Sequence, residues 1–237
     1  MNFTSTLVEK RLRSFASQKR KEASLWFFKT GKGQYGEGDK FLGVSNPQMR
    51  KIAVEFFDLP IGEIEKLLKS PLHEFRQTAL FILARQFEKG DEKKRKKIFD
   101  FYISHTRFVN NWDLVDCSAH KIVGCFLWQK KSDILIKLAR SKNIWERRIA
   151  VVSTFYFIKK GDSEKFLRVA SILIKDREDL IHKALGWMLR EVGKCCGQEI
   201  EENFLKKNYD KLARTTLRYA IERFPEQKRK MYLRGNI

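Results

Sequence analysis

Hydrophobic residues recur along most of the chain at intervals of three and four positions, the spacing that places them on one face of an α-helix. Few segments alternate between apolar and polar residues at every second position, as a β-strand does. The pattern predicts helices at residues 5–17, 19–30, 47–57, 61–69, 71–88, 92–104, 111–129, 132–140, 143–160, 163–175, 178–195, 199–207, 210–223 and 225–232. We therefore expect an all-α fold.

Short charged helices alternate with long aromatic-rich helices in this prediction. Small or apolar residues occupy similar places in successive long helices, about 31 to 40 residues apart, at Ala79, Ala119, Ala150, Ala184 and Leu217. This period is typical of stacked helix pairs such as HEAT repeats. We expect a single HEAT-like repeat domain over residues 1–237, a curved solenoid of about six to seven helix pairs with a concave basic groove.

The charge balance favours an acidic partner. The chain has 49 Lys and Arg residues against 29 Asp and Glu residues, a formal net charge of +20 that is spread along its length. An extended basic surface fits nucleic acid first and an anionic membrane second. The longest charge-free apolar stretch, Ile149–Ile158, has about half of the roughly 20 residues that a membrane span needs. The first ten residues also lack the pattern of a signal peptide. We therefore expect no membrane association and a cytoplasmic protein, nucleoid-associated if prokaryotic.

The cysteines and histidines show no ligand pattern. Four cysteines occur, without a Cys-x-x-Cys pair, at Cys117, Cys125, Cys195 and Cys196. The histidines share no ligand spacing with one another or with the cysteines. We expect reduced cysteines, no metal and no cofactor.

A glycine-rich segment from Gly31 to Lys40 stands apart from the helices. Its Gly-x-Gly-x-x-Gly spacing matches a dinucleotide-binding fingerprint, but that fingerprint requires a preceding strand and a βαβ unit, and neither is predicted here. A shaped loop with positive φ angles is the simpler interpretation. Its Lys32, Tyr35 and Lys40 remain candidates for contact with a ligand.

The segment from Asn110 to Asp116 combines aromatic and acidic residues at the start of a predicted helix. Trp112 and Asp116 are four positions apart, so on a helix they share one face. Asp113 and Asp116 also lie in a first turn, where the helix dipole favours carboxylates. Both a structural role at the helix start and a role toward a ligand are therefore open.

Two later helices carry tryptophan beside basic residues. Arg148 follows a tryptophan by three positions, which fits either core packing with a surface charge or a phosphate clamp beside an aromatic wall. In the next long helix, Lys183, Trp187 and Arg190 lie on neighbouring turns. Gly186 costs that helix about 1 kcal/mol relative to alanine, which either tight helix packing or the close approach of a ligand could offset.

Four short motifs occur in order between residues 41 and 191. They are Phe41-Leu-Gly-Val44 with Pro47 and Arg50, Asn111-Trp-Asp-Leu-Val-Asp116, Asn143-Ile-Trp145 with Arg147-Arg148, and His182-Lys-Ala-Leu-Gly-Trp-Met-Leu-Arg-Glu191. Together they resemble the motifs of the DNA alkylation repair enzymes, the AlkD-like DNA glycosylases built from HEAT-like helix pairs.

The resemblance implies a DNA glycosylase that hydrolyses the N-glycosidic bond of cationic alkylated purines, of the 3-methyladenine and 7-methylguanine type, in duplex DNA. Asp116 matches the catalytic carboxylate of the family, and Trp112 and Trp187 match its cleft tryptophans. Arg148 matches an arginine that contacts the DNA backbone. Lys183 and Arg190 are further candidates for DNA binding, as is Tyr35, because the glycine-rich loop stands where the best-known branch has a short aromatic-bearing helix.

The residue types are consistent with this chemistry. A cationic purine leaves as a neutral base, so no general acid is needed, and an ionised Asp116 would stabilise the cationic sugar and hold a water. The faces of Trp112 and Trp187 would each contribute about 1–2 kcal/mol to cation stabilisation if desolvated. No lysine has a specific case for Schiff-base chemistry, so we expect a monofunctional and monomeric enzyme.

Two other functions fit parts of the sequence. A non-catalytic HEAT-repeat protein that binds structured or bent DNA would keep the basic surface without base release. A protein-binding helical scaffold would lack DNA affinity near physiological salt. The preferred lesion and the physiological pathway do not follow from the sequence.

Overall fold

The computed structural model describes residues 3–236, and within this range the chain is helical, with no β-strand. The α-helices are α1 (Ser5–Arg13), α2 (Gln18–Phe27), α3 (Asn46–Glu55), α4 (Ile61–Leu68), α5 (His73–Lys89), α6 (Glu92–Ser104), α7 (Trp112–Ala119), α8 (Cys125–Leu127), α9 (Ile134–Ala139), α10 (Ile144–Ser153), α11 (Phe155–Lys159), α12 (Glu164–Leu173), α13 (Asp179–Cys195), α14 (Gln198–Asn208), α15 (Arg214–Ala220) and α16 (Glu226–Arg234). A π-helical turn at His120–Gly124 joins α7 to α8. The all-α prediction is confirmed.

The described residues divide into two compact units, with the boundary between Ser118 and Ala119. The single domain and the curved solenoid with a concave basic groove, predicted over residues 1–237, stay predictions. Residues 1, 2 and 237 lie outside the described part of the chain. None of the helices in residues 3–236 combines the length and the apolarity needed to cross a membrane.

Helix α5 forms the centre of the first unit and packs against α3, α4 and α6. Fourteen of its 17 residues are buried, so even the polar side chains in its first turns are shielded from solvent. Buried polar groups need hydrogen-bond partners inside the protein, and the start of α5 is therefore where such partners must be found.

Helices α10 and α13 form the centre of the second unit. Helix α13 contacts α10, α14 and α15. At Gly186 a side chain would place its Cβ 2.4 Å from the Cβ of Tyr219 and 2.5 Å from the backbone oxygen of Thr216, both in α15. Tight helix packing therefore explains this glycine.

Several predicted helices differ from the observed ones, and two of these differences have clear local reasons. The helix predicted at 143–160 is interrupted at Thr154, whose hydroxyl donates to the backbone oxygen of Val151 at 2.5 Å and competes with the helical bonds. The helix predicted at 71–88 begins at His73, because Leu72 is extended and forms an isolated parallel β-bridge with Lys40. This bridge brings the end of the glycine-rich loop to the start of α5.

Candidate functional site

Trp112 and Asp116 lie one turn apart on α7, as their spacing predicted, and both side chains are half-buried. Burial raises the pKa of the Tyr102 phenol, and the charges of Cys117 and Asp116 add to this effect. The Tyr102 hydroxyl itself pairs with Ser118 Oγ at 2.9 Å. The same short helix thus carries the aromatic and the acidic candidate on one face.

The indole of Trp112 contacts the segment that precedes the glycine-rich loop. Its ring stacks on Phe28, with centroids 5.5 Å apart, and meets the edge of Phe27 at 5.8 Å. Its Nε1 donates to the hydroxyl of Tyr35 at 3.3 Å. The structure therefore brings together Trp112 and Tyr35, two of the predicted site residues, and Phe27, which is 54% exposed, extends this aromatic surface to solvent.

The start of α7 is held by two buried polar side chains. Asn111 accepts from the backbone N–H of Trp112 at 2.8 Å and donates through Nδ2 to Asp39 at 2.9 Å. Asp113 accepts from the backbone N–H of Leu114 at 2.8 Å through its Oδ1. Its Oδ2 accepts from the side chain of Gln77 at 3.1 Å. The first turn of α7 is thereby tied to α5 and to the glycine-rich loop.

His73, the first residue of α5, lies between two carboxylates and is 1% exposed. Its Nδ1 is 3.3 Å from Asp39 Oδ2, and its Nε2 is 2.8 Å from Asp113 Oδ2. Burial opposes the charged ring, but the charge and hydrogen bond of Asp113 and the hydrogen bond of Asp39 outweigh it and raise the pKa of His73 to about 9. Because carboxylates only accept hydrogen bonds, both ring nitrogens donate and the ring is an imidazolium at neutral pH.

The charges of this cluster balance. Asp39 also accepts from Arg76 Nη2 at 2.6 Å, so two carboxylates face two cations. Burial opposes ionisation of Asp39, but the hydrogen bond from His73 and the charge of Arg76 outweigh it and keep its pKa below the ordinary value. The rings of Phe28 and Phe41 lie 4.9 and 4.7 Å from the His73 ring and close the cluster off. Among residues 3–236, no group of three or more His, Cys, Asp or Glu side chains is arranged to hold a metal ion.

The turn that follows the loop is fixed by Glu74, the neighbour of His73. Its carboxylate accepts from the backbone N–H groups of Leu42, Gly43 and Val44 at 2.7–3.3 Å. Gly43 has a φ of +81°, and a side chain there would place its Cβ 2.2 Å from the backbone oxygen of Ser17. The Phe41-Leu-Gly-Val44 motif therefore has a structural role, because its backbone conformation is fixed by Glu74 and by close packing at Gly43.

The glycine-rich loop itself follows a helix and is succeeded by α3, which excludes the strand-flanked setting of a dinucleotide fingerprint. Gly33 and Gly38 have positive φ angles of +76° and +85°, as expected for a shaped loop. Lys32 and Lys40 are exposed. Both lysines lie in the loop that carries Tyr35, and their contact with an anionic ligand stays a prediction.

In the second unit, Arg148 is buried on α10 and 5% exposed. Its Nη1 donates to the backbone oxygen of Leu180, at the start of α13, at 2.5 Å. The neighbouring Arg147 pairs with Asp176 at 2.7 Å and caps the preceding turn. Arg148 thus has an observed role in joining α10 to α13, and its contact with DNA stays a prediction.

Helix α13 presents the remaining candidates. Trp187 is half-buried and packs on Phe155 with ring centroids 5.6 Å apart. Lys183 pairs with Asp179 at 2.8 Å, one turn earlier. Arg190 pairs with Glu222. The three predicted residues lie along the same helix, at intervals of four and three positions, with the charged ends of two of them already paired.

The sequence interpretation missed the residues that support this site. It treated His73 as a histidine without ligand spacing, and for Asp113 it left both a structural role at the helix start and a role toward a ligand open. A signal was present, because His73 and Gln77 lie four apart, on the face of a helix whose later turns are apolar. Polar residues on a buried face require partners, although the sequence does not say which ones.

Comparisons with known proteins relate the chain to one protein family and to two solved structures. A family model described as DNA alkylation repair enzyme matches residues 8–224. A predicted DNA alkylation repair enzyme from Enterococcus faecalis is similar in structure, with a TM-score of 0.69 and 16% identity over 89% of this chain and 97% of that one. AlkD2 from Streptococcus mutans gives a TM-score of 0.55 and 17% identity over 94% of this chain and 97% of its own. At these identities the likeness establishes the fold. No curated protein sequence gives a significant match.

Proposed function

Because the chain belongs to the DNA alkylation repair enzyme family, we propose that it is a monofunctional DNA glycosylase that removes cationic alkylated purines from duplex DNA. The observation that supports this most is the placement of Trp112 and Asp116 on one face of α7, anchored by a buried polar cluster. A net charge of +20 supports a polyanionic partner. The proposal includes a monomeric, cytoplasmic enzyme that is nucleoid-associated if the source is prokaryotic.

The chemistry assigned to the site uses the charge of the lesion. A purine alkylated at N3 or N7 is cationic, so the bond between C1′ and the base nitrogen breaks with the electron pair passing to a base that leaves neutral. The sugar becomes cationic, a water oxygen bonds to C1′, and a proton of that water passes to solvent. An ionised Asp116 stabilises the sugar cation and accepts a hydrogen bond from the water.

The aromatic candidates are proposed to stabilise positive charge. The face of an indole attracts a desolvated cation by about 1–2 kcal/mol, which suits Trp112 and Trp187 to a charged purine or sugar. Tyr35, Lys183, Arg190 and Arg148 are proposed to bind the DNA backbone. No lysine is assigned a covalent role, so the product is an intact abasic site.

The test is release of methylated purines from methylated duplex DNA. The wild-type protein is expected to release 3-methyladenine and 7-methylguanine type bases, and Asp116→Asn is expected to lower the single-turnover rate about 100-fold or more. The matched control is Asp100→Asn, which removes a carboxylate that is 54% exposed and paired with Lys96. It should release bases at the wild-type rate.

Each other outcome identifies a different function. Undiminished release by Asp116→Asn would remove the catalytic role of that carboxylate. Tight, steeply salt-dependent binding without base release would support a non-catalytic DNA-binding protein. No DNA affinity near physiological salt would leave the protein-binding scaffold.

A further inference from the structure

We propose that His73 is a positioning residue, which joins the glycine-rich loop to the first turn of α7 and so fixes the place of Trp112 and Asp116. This inference rests on the proposed function for its catalytic consequence. The geometry that carries it is the bridge from Asp39 through the ring to Asp113, at 3.3 and 2.8 Å.

The bridge crosses three separate segments of the chain. Asp39 is the next-to-last residue of the glycine-rich loop, His73 is the first residue of α5, and Asp113 is the second residue of α7. The two partners of the ring lie 34 and 40 residues away from it in sequence. Moving either hydrogen bond would therefore move the loop that carries Tyr35, or the helix that carries Trp112, relative to α5.

Of the groups in this cluster, the His73 ring depends most on the two bridging hydrogen bonds. Asp39 keeps bonds to Arg76 and Asn111, and Asp113 keeps bonds to Gln77 and to the backbone of Leu114. His73 has only the two carboxylates on its ring nitrogens. Its ring is enclosed by Phe28 and Phe41, so no solvent replaces a lost bond.

Protonation decides whether both bonds exist. The charged groups that face the ring are Asp39 from the loop, Asp113 from α7 and Arg76 from α5, while Glu74 turns its carboxylate to the backbone of residues 42–44. When the ring loses a proton, one nitrogen becomes an acceptor that faces a carboxylate, and that bond is lost. Because the pKa of His73 is raised to about 9, both hydrogen bonds of the bridge are present at neutral pH. One of them is lost when the pH rises above about 9.

The first experiment needs no variant. Nitrogen-detected NMR of the imidazole rings should show both nitrogens of His73 protonated at about pH 7, with a titration midpoint near 9. A midpoint at or below the ordinary histidine value of about 6.5 would overturn the proposal, because the ring would then hold only one of the two carboxylates.

Two variants separate the hydrogen bonds from the charge. His73→Gln replaces the two ring nitrogens by one terminal amide NH2, which reaches only one carboxylate, so the single-turnover rate of base release should fall about 10- to 100-fold at saturating enzyme. Asp113→Asn keeps the shape and offers an amide N–H to a neutral ring, so its rate at about pH 7 should stay within about threefold of the wild-type rate. A simple stability role would instead lower the melting temperature of both without changing the rate of the folded protein.

The pH profile is the decisive readout. The wild-type rate should fall with a midpoint near 9, and Asp113→Asn should lose that limb, since the His73 midpoint moves down without the Asp113 charge. His105→Gln, which alters a histidine paired with Glu65, is the matched control and should keep the wild-type profile.

A readout independent of catalysis separates this inference from the proposed function. The indole N–H resonance of Trp112 should shift with a midpoint near 9 in the wild-type protein and should not do so in Asp113→Asn. A shift without any base release would keep the positioning role and remove the glycosylase. The positioning role would be overturned if the chemical shift of the Trp112 indole N–H did not change when His73 loses its proton. A folded His73→Gln protein with the wild-type rate would overturn it as well.

Discussion

The carboxylate of Glu74 accepts a hydrogen bond from the backbone N–H of Gly43 at 2.7 Å, and both groups are buried. The same carboxylate accepts from Leu42 and Val44, so one side chain satisfies the donors of a whole turn. A buried donor that loses its acceptor costs about 1–3 kcal/mol, which makes this contact a strong constraint on the segment between the glycine-rich loop and α3.

Replacing that carboxylate by an amide should destabilise the first unit. Oε1 of Glu74 accepts from all three backbone N–H groups and Oε2 accepts from Leu42 alone, so Glu74→Gln removes the negative charge from these bonds and turns an amide NH2 toward the N–H of Leu42. We expect the free energy of unfolding to fall by about 2 kcal/mol in urea denaturation. Glu22→Gln, which changes an exposed carboxylate that accepts from Gln18, should leave this free energy unchanged. Equal effects of the two variants would show that the turn does not depend on Glu74.

A side chain at Gly186 should disrupt the packing of α13 on α15. The Cβ of Gly186→Ala would meet the backbone oxygen of Thr216 at 2.5 Å, which cannot move without shifting the helix. We expect a loss of about 1–3 kcal/mol in unfolding free energy, measured by urea denaturation. Gly62→Ala is the matched control, because no atom lies within 4 Å of its new Cβ. It should gain up to about 1 kcal/mol from helix propensity, and a similar gain at Gly186 would contradict the packing explanation.

The stability of the second unit should depend on the ionisation of Glu201. Burial and the neighbouring charge of Glu202 raise the pKa of this carboxyl to about 8, and its Oε1 has no hydrogen-bond partner. The unfolded group loses its proton near 4.5, so the folded protein binds the proton more tightly, and stability falls as pH rises from about 4.5 to about 8.

Glu201→Gln should remove that dependence, because an amide does not ionise. The free energy of unfolding of the variant, minus that of the wild type, should increase by roughly 2–4 kcal/mol between about pH 4.5 and about pH 8. Urea denaturation at each pH measures this difference. Glu199→Gln, an exposed residue on the same helix, is the control and should follow the wild-type curve. A constant difference between Glu201→Gln and the wild type at all pH values would exclude a buried ionisation.

The helices were predictable because their signal is local. The interval of three and four between apolar residues placed α4, α6 and α13 within a few residues of their observed bounds. The break at Thr154 was not predicted, because it depends on a side-chain hydroxyl that bonds to the helix backbone. Hydrophobic periodicity predicts which residues are buried, but it does not predict where a side-chain hydroxyl competes for the hydrogen bonds of the helix backbone.

The site was predictable only in part. The four-residue spacing on α7 placed Trp112 and Asp116 on one face. Tyr35 has no such signal in the sequence but contacts Trp112 in the structure, and its role toward DNA stays a prediction. The link from His73 to Asp39 and Asp113 joins residues 34 and 40 positions apart, which only the folded chain brings together. The buried bond from Arg148 to Leu180 likewise follows from the packing of α10 on α13 and not from spacing.

Replacing the indole of Trp187 by a smaller ring should lower the rate of base release clearly and the free energy of unfolding only slightly. Trp187→Phe keeps a ring against Phe155, so the unfolding free energy should fall by only about 1 kcal/mol, while the smaller π-face stabilises a cation less well and the single-turnover rate should fall severalfold. Trp128→Phe is the control, since this half-buried indole packs edge-on against Tyr156 and Phe157. It should lose comparable stability and keep its rate. If both variants keep the wild-type rate, Trp187 is a packing residue, because a group that faces the reacting cation cannot be changed without changing the rate.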